Sequence, residues 1–164
     1  HVTGVQTCAL PISISNVGNF TITATDGAGG IGTGSETGVS NSFDVDPAPL
    51  DHFLVEAQGG GAIGTQTAAV SFNIRITAQD ADNNTVTLFD GAGNTAEISS
   101  TGTLSAGSGT TATFTNGVLA SHSVTISDTG NFTITATDSA GGLGSGTETG
   151  VSNAFDVDAG PLDH

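Results

Sequence analysis

The sequence predicts an all-β protein built from tandem repeats, and three observations support that fold class. Residues 18–26 return unchanged as residues 130–138, and the same shift of 112 positions keeps 30 of 39 pairs identical between residues 14 and 52. A repeat this close indicates tandem modules. Apolar and polar residues alternate in several segments, as in half-buried strands. Charged residues make up only 10% of the chain, which argues against long helices.

The repeat length predicts how the chain is divided. Residues 49–160 form one complete unit, residues 14–48 the C-terminal part of a preceding unit, and residues 161–164 the start of the next one. A unit of this size can bury a single core, whereas the leading part alone cannot. We therefore expect the chain to be a window cut from a longer array.

The first thirteen residues are expected to be foreign to the repeat. Residues 2–12 resemble the conceptual translation of a sequencing adapter, and residues 2–13 agree with residues 114–125 only at Thr3. We exclude residues 1–13 from the fold and the function as a non-native artefact. The only cysteine, Cys8, lies in this segment, so no disulfide or thiol chemistry is expected.

The complete unit is predicted to contain seven or eight short strands. The clearest is residues 72–78, where Phe72, Ile74 and Ile76 alternate with polar residues. Residues 80–84 have the Asp and Asn composition of a turn. The other predicted strands are residues 52–57, 86–89, 96–99, 111–115, 121–127, 131–137 and 151–157.

So many one-faced strands predict two antiparallel sheets packed face to face, an immunoglobulin-like β-sandwich. The unit lacks the Cys and Trp core residues of antibody domains, so phenylalanines are expected to fill the interior. These are Phe53, Phe72, Phe114, Phe132 and Phe155. The alternative is a β-solenoid, but its rungs repeat every ~20–30 residues and the unit shows no such period.

The leading part of the chain, residues 14–48, is predicted to contain two strands around a Gly-rich loop. Its apolar face consists of Phe20, Ile22 and Ala24, and the earlier strands of its unit are missing. We expect this face to be exposed, and the segment either to be poorly ordered or to pair with an edge of the intact domain.

Several segments resemble a known family. They are Phe-Asn-Ile-Arg-Ile-Thr-Ala-Gln-Asp at residues 72–80, Asn-Thr-Val-Thr at 84–87, Gly-Val at 117–118, Ser-Val-Thr-Ile at 123–126 and the repeated strand at 130–138. Together they resemble the bacterial immunoglobulin-like repeats of very large surface proteins, such as invasin- and intimin-type adhesins. The linker Pro-Leu-Asp-His-Phe at residues 49–53 is similar to the start of a unit in multi-repeat proteins of environmental bacteria. The resemblance covers residues 14–164 and implies a spacer module outside the cell.

The charge balance restricts the partners. Sixteen acidic residues against one basic residue, Arg75, give a net charge of −15, which opposes binding to nucleic acids and anionic membranes. No apolar run approaches the ~20 residues of a membrane span, so direct membrane insertion is not expected. An acidic surface suits an extracellular setting or the recruitment of divalent cations.

Acidic residues at the module boundary are the candidate metal site. Calcium prefers several oxygen ligands, and in related adhesin arrays calcium often stiffens such joints. The candidates are Asp44, Asp46, Asp51, Asp156 and Asp158, with Asp163 as the repeat of Asp51. The other interpretation is that these are solvated linker residues. No other cofactor is predicted.

The remaining candidates favour ordinary structural roles. Asp80, Asp82 and Asn84 have the spacing at the start of an EF-hand loop but lack its Gly and closing Glu, so a turn is predicted. Asp26 and Asp138 are expected to cap turns beside Gly-rich loops. No second His or Cys stands at zinc-ligand spacing from His52, His122 or His164, and no nucleophile elbow or phosphate-binding loop occurs, so we predict that the protein is not an enzyme.

Two functions remain open. The first is a non-catalytic structural or adhesive repeat that acts as a spacer or stalk in a large bacterial surface protein, with neighbouring repeats as its partners. The second is a β-sandwich that itself binds carbohydrate, matrix or a host-cell receptor. The unit has no Trp and no Tyr, the usual platforms for sugar rings, which favours the spacer.

Overall fold

The computed structural model describes residues 12–27 and 31–161. Within those residues the protein is all-β and contains no helix, as expected for its fold class. No helix of the described part is long and apolar enough to cross a membrane. The chain divides into two compact units, residues 1–46 and residues 47–164. Of the predicted adapter-like segment, residues 2–12, all but Ile12 lie outside the described residues.

The described strands are short and follow one another closely. In the first unit they are β1 (Gly18–Phe20), β2 (Thr23–Thr25), β3 (Thr37–Val39) and β4 (Phe43–Val45). In the second unit they are β5 (His52–Ala57), β6 (Gln66–Thr67), β7 (Phe72–Gln79), β8 (Ala96–Ser100), β9 (Leu104–Ala106), β10 (Gly109–Thr110), β11 (Val118–Ile126), β12 (Gly130–Phe132), β13 (Ile134–Asp138), β14 (Thr149–Val151) and β15 (Phe155–Asp158).

The second unit contains an eight-stranded sheet in the order β10-β8-β13-β14-β5-β7-β11-β9 and a three-stranded sheet in the order β12-β15-β6. In the eight-stranded sheet the long strands pair in an antiparallel way. The exception is β14, which meets β5 in parallel through one pair, Thr149 with His52. That single pair joins two antiparallel halves. Both halves and the small sheet contribute to one core, an arrangement consistent with a β-sandwich.

The core has an aromatic cluster at one end. The ring of Phe89 packs edge-on against Phe53 at 5.5 Å and Phe114 at 4.9 Å between centroids. Phe155 is also buried and packs against Phe72 at 5.7 Å. Phe72 and Phe132, which were expected inside, are only half-buried at the margin of the core. Phe89 was not among the predicted core phenylalanines, yet it is fully buried.

Two predicted strands are wrong. Residues 86–89 form a turn in which the Phe89 amide donates to the Val86 carbonyl at 2.9 Å. Such a turn places Val86 and Phe89 in the core and leaves Leu88 outside, which strand alternation could not anticipate. Residues 111–115 were also predicted as a strand, but β10 ends at Thr110. There the Thr111 side chain caps the edge of β8, since its hydroxyl accepts the Ala96 amide at 3.0 Å.

The first unit forms two small antiparallel pairs, β1 with β4 and β2 with β3. Their registers repeat those of β12 with β15 and β13 with β14, residue for residue at a shift of 112. The expected apolar face is present: Ile22 and Ala24 are exposed and Phe20 is half-buried. Each strand of this segment has a partner within the segment itself.

The chain enters and leaves the second unit at opposite ends. Near its start, the Asp51 amide donates to the carbonyl of Gln79, the last residue of β7, at 2.9 Å. At its close, Asp158 accepts the Ala68 amide at 2.8 Å, and Ala69 donates to Ile126, the last residue of β11. Because β7 and β11 are antiparallel, these two places are roughly 30 Å apart at ~3.3 Å per residue. We call the first the proximal end and the second the distal end.

Candidate functional site

The proximal end is organised by the buried carboxylate of Asp80. Its Oδ1 accepts the amides of Asp82 and Asn84 at 3.0 and 2.9 Å, which closes the predicted turn. The Asn84 side-chain amide donates to both carboxylate oxygens. Asp and Asn form such turns because their short side chains reach the backbone two to four residues on. Asp80 is therefore a structural residue of the turn, as the sequence predicted.

Asp80 also holds the incoming chain. Its Oδ2 accepts the backbone amide of Ala48 at 3.0 Å. Burial opposes ionisation of Asp80, but the donors from Asn84, Ala48 and Asp82 outweigh it and hold the pKa of Asp80 below its ordinary value. The carboxylate thus stays charged and links the segment before β5 to the end of β7.

Beside this anchor lies an apolar groove of about 330 Å³. One wall is the segment Pro47, Ala48 and Pro49, and the other consists of Val86, Leu88 and Leu143. Val86 is buried, whereas Leu88 is 70% exposed and Leu143 half exposed, although both are large and aliphatic. Prolines lack an amide hydrogen, so this wall offers few donors to water. The proximal end therefore presents an apolar surface on an otherwise acidic protein.

Leu143 lies in a loop, residues 139–147, that is flanked by two acids, Asp138 and Glu148. Asp138 is buried; its Oδ2 accepts the Gly146 amide at 2.8 Å, and its Oδ1 has no hydrogen-bond partner among the described residues. Glu148 is held by the Ser145 hydroxyl at 2.6 Å and by the Ser145 amide at 2.9 Å. Asp138 was expected to cap a turn, and its bond to Gly146 is such a cap.

The pKa values of the two acids are shifted in opposite directions. Burial raises the pKa of Asp138, the Gly146 amide works against that rise, and the negative charge of Glu148 adds to it. The Ser145 hydroxyl is the main cause that lowers the pKa of Glu148. Folding therefore opposes the negative charge on Asp138 and favours the negative charge on Glu148.

The proposed calcium ligands are spread over both units. Asp44 and Asp46 belong to the first unit and Asp51 to the second, and Asp163 lies outside the described residues. Asp156 and Asp158 alternate with buried Phe155 and Val157 and point to solvent.

Asp44 and its repeat Asp156 each accept a hydrogen bond from an asparagine of the neighbouring strand. Asn19 donates to Asp44 at 2.7 Å, and Asn131 donates to Asp156 at 2.8 Å. Within the described residues no group of three or more His, Cys, Asp or Glu side chains could hold a metal ion. Calcium binding stays a prediction that these positions do not strengthen.

The described histidines have local contacts. His52 Nδ1 lies 3.0 Å from the carboxylate of Asp51, and His122 Nε2 lies 2.9 Å from the Gly107 carbonyl oxygen. Asp51 directly precedes β5, which begins at His52, and Gly107 lies between β9 and β10.

Sequence reasoning missed the groove and the acid pair. A signal for the groove existed in Leu88, an apolar residue next to a turn-rich stretch that alternation could only assign to a strand face. A signal for the pair existed in Glu148, which recurs as Glu36 at the same offset from its aspartate. Neither signal shows by itself that two distant segments meet.

Comparison with known proteins gives no relative: no family model, no curated protein and no solved structure matches this chain.

Proposed function

We propose that the second unit is an immunoglobulin-like spacer module, one of a series joined end to end in a long extracellular protein of bacterial origin. The single observation that carries this proposal is that the chain enters at the proximal end and leaves at the distal end, roughly 30 Å away. Modules joined through opposite ends extend an array, whereas modules with adjacent ends fold back on themselves. The near-identical repeat across 112 residues supports a series.

The strand order supports the immunoglobulin-like topology. Immunoglobulin sandwiches pair strands A, B, E and D in one sheet and C, F and G in the other. We letter the strands in chain order: A is β5 with β6, B is β7, C is β8, D is β9 with β10, E is β11, F is β12 with β13, and G is β14 with β15. The order β5-β7-β11-β9 then follows A-B-E-D, and the order β8-β13-β14 follows C-F-G. The single parallel contact of β14 with β5 then lies where the two sheets meet.

The surface supports an extracellular, non-catalytic role. The net charge of −15 favours solubility and opposes collapse onto nucleic acids or anionic membranes. Stability of the repeat requires no disulfide, because its residues contain no cysteine. The unit's phenylalanines pack in or against the core rather than forming an exposed aromatic platform for sugar rings. These features favour the spacer over the carbohydrate-binding alternative.

Small-angle X-ray scattering on proteins with one, two and three complete units tests the proposal. The longer proteins carry extra copies of residues 49–160 after Gly160. We expect the maximum dimension to grow in equal steps of roughly 30 Å or more for each added unit, the length of a sandwich built on nine-residue strands. Growth with about the square root of unit number, as in a flexible chain, would reject the spacer rod.

A matched control is the two-unit protein with Gly-Ser-Gly inserted between Asp158 and Ala159. The insertion changes the mass little but frees the joint, so its scattering defines the flexible reference. Binding of the single unit to a glycan array would instead favour the ligand-binding alternative.

A further inference from the structure

In the array proposed above, the apolar groove at the proximal end of each unit faces the distal end of the unit before it. Since this inference rests on the proposed function, its test must separate the two. The linker between two units determines which part of a preceding unit lies within reach of the groove.

The linker residues line the groove of the unit that follows. Pro47, Ala48 and Pro49 form one wall of the groove, and the repeat places Ala159, Gly160 and Pro161 at the same positions for the next unit. These residues directly follow Asp158, the last residue of β15. Three residues span at most about 10 Å, so the next groove begins within that distance of the distal end.

The distal end meets this linker through one turn, residues 67–70. The Ala68 amide donates to Asp158 at 2.8 Å, and the Val70 amide closes the turn on the Thr67 carbonyl at 3.1 Å. A methyl group placed on Gly160 would lie 3.7 Å from Thr67 Cγ2 and 4.0 Å from the Ala68 carbonyl oxygen. Gly160, the counterpart of groove residue Ala48, therefore already packs beside this turn.

The turn carries an apolar side chain of matching chemistry. Val70 is 55% exposed at the distal end, so its side chain is accessible for an apolar contact there. Residues 14–46 correspond to residues 126–158 of the complete unit, so they contain no counterpart of this turn.

We propose that the turn at residues 67–70 of one unit docks through Val70 into the groove formed by Pro47, Ala48, Pro49, Val86, Leu88 and Leu143 of the next unit. The contact is heterologous, so it repeats without closing and suits a linear array. Covalent connection holds the two surfaces together at high effective concentration, so a small apolar contact suffices. The linker is also fixed to the unit that follows it, because the backbone amide of Ala48 donates a hydrogen bond to Asp80.

The test uses the full chain with a second copy of residues 49–160 inserted after Gly160. Val70→Asp in the first copy places a charge in the proposed contact, whereas Val70→Asp in the second copy faces no groove. Leu88→Asp is used in the opposite way. In the second copy it alters the groove that the first copy is proposed to fill, whereas in the first copy it alters a groove that no complete unit precedes. Each pair of proteins has equal composition and charge, and both side chains are exposed within a unit.

Thermal unfolding gives the primary result. We expect Val70→Asp in the first copy and Leu88→Asp in the second copy each to lower the unfolding midpoint by about 3 °C, with the opposite placements within about 1 °C of the parent. The double variant carrying both effective changes should fall no further than either alone, because both break one contact. Equal effects in the two placements, or no effect in either, would overturn the docking proposal.

Scattering on the same proteins keeps the two proposals apart. A two-unit protein that is extended, but whose midpoint does not depend on placement, refutes the docking contact and leaves the spacer role standing. A two-unit protein with the dimensions of the Gly-Ser-Gly control refutes the spacer rod itself.

Discussion

Residues 14–46 and residues 126–158 share almost the same sequence and the same strand registers, yet they differ in burial. Each segment has the same side-chain bonds: the hydroxyl of Ser40 accepts the Ile22 amide at 2.9 Å, and that of Ser152 accepts the Ile134 amide at 3.0 Å. Ile22, however, is 39% exposed whereas Ile134 is fully buried. The local hydrogen-bonding pattern belongs to the segment, whereas the burial belongs to the whole unit.

The comparison makes each residue of the first segment a control for its twin in the second. At identical positions the two copies differ in their surroundings rather than in the residue, so any difference between paired substitutions measures what the other strands contribute. Because the described second unit holds the large core, its unfolding is the transition to follow.

The largest difference is expected at the repeated isoleucine. Ile134→Ala removes a fully buried side chain and leaves a cavity, which costs about 2–5 kcal/mol of unfolding free energy. Ile22→Ala removes a partly exposed side chain outside that core and should leave the main transition unchanged. Urea unfolding of the two variants measures both effects. Equal midpoints for the two variants would show that the burial of Ile134 does not stabilise the second unit.

The second difference is at the repeated glycine of β3 and β14. A methyl group on Gly150 would collide with the backbone carbonyl of Phe53 in β5, so Gly150→Ala forces the strands apart and should cost about 1–3 kcal/mol. At Gly38 no atom of the part of the chain that the structure describes lies within 4 Å of that position, so Gly38→Ala should be neutral. Thermal unfolding distinguishes the two, and a stable Gly150→Ala protein would contradict the close approach of β14 to β5.

The third difference isolates one hydrogen bond in two environments. Ser152→Ala leaves the buried amide of Ile134 without its acceptor, at a cost of about 1–3 kcal/mol. Ser40→Ala removes the same bond where water can replace it, so little change is expected. Urea midpoints measure the costs, and Ser152→Thr, which keeps the hydroxyl, should recover part of the loss.

The same contrast explains how much the sequence could predict. Alternation and turn composition are local, so β5, β7 and the Asp80 turn were predicted within a residue or two, and the all-β class followed. Phe89 was missed because its burial depends on the turn at residues 86–89 meeting Phe53 and Phe114, which lie in distant parts of the sequence. The groove was missed for the same reason: Leu88, Leu143 and Pro47 are apolar residues with no sequence pattern in common.

The smallest difference concerns the acid pair and has the opposite sign. Asp138→Asn keeps an acceptor for the Gly146 amide and presents an amide donor in place of a buried carboxylate beside Glu148. Because folding raises the pKa of Asp138, the ionised form is destabilising above that raised pKa, and the contribution improves as pH falls toward the ordinary value of 3.8. Asp138→Asn should therefore raise the unfolding midpoint by a few degrees at neutral pH, and the gain should vanish near pH 4.

Asp26→Asn is the matched control, since Asp26 accepts the corresponding amide of Gly34 at 3.1 Å but lies in the first unit, outside the main core. It should not move the main transition at either pH. Asp80→Asn should behave in the reverse way, because the lowered pKa of Asp80 stabilises the unit above its ordinary value and that stability is lost on acidification. A loss of stability at neutral pH for Asp138→Asn would mean that the carboxylate is compensated by contacts beyond Gly146, and that the loop carrying Leu143 depends on the charge.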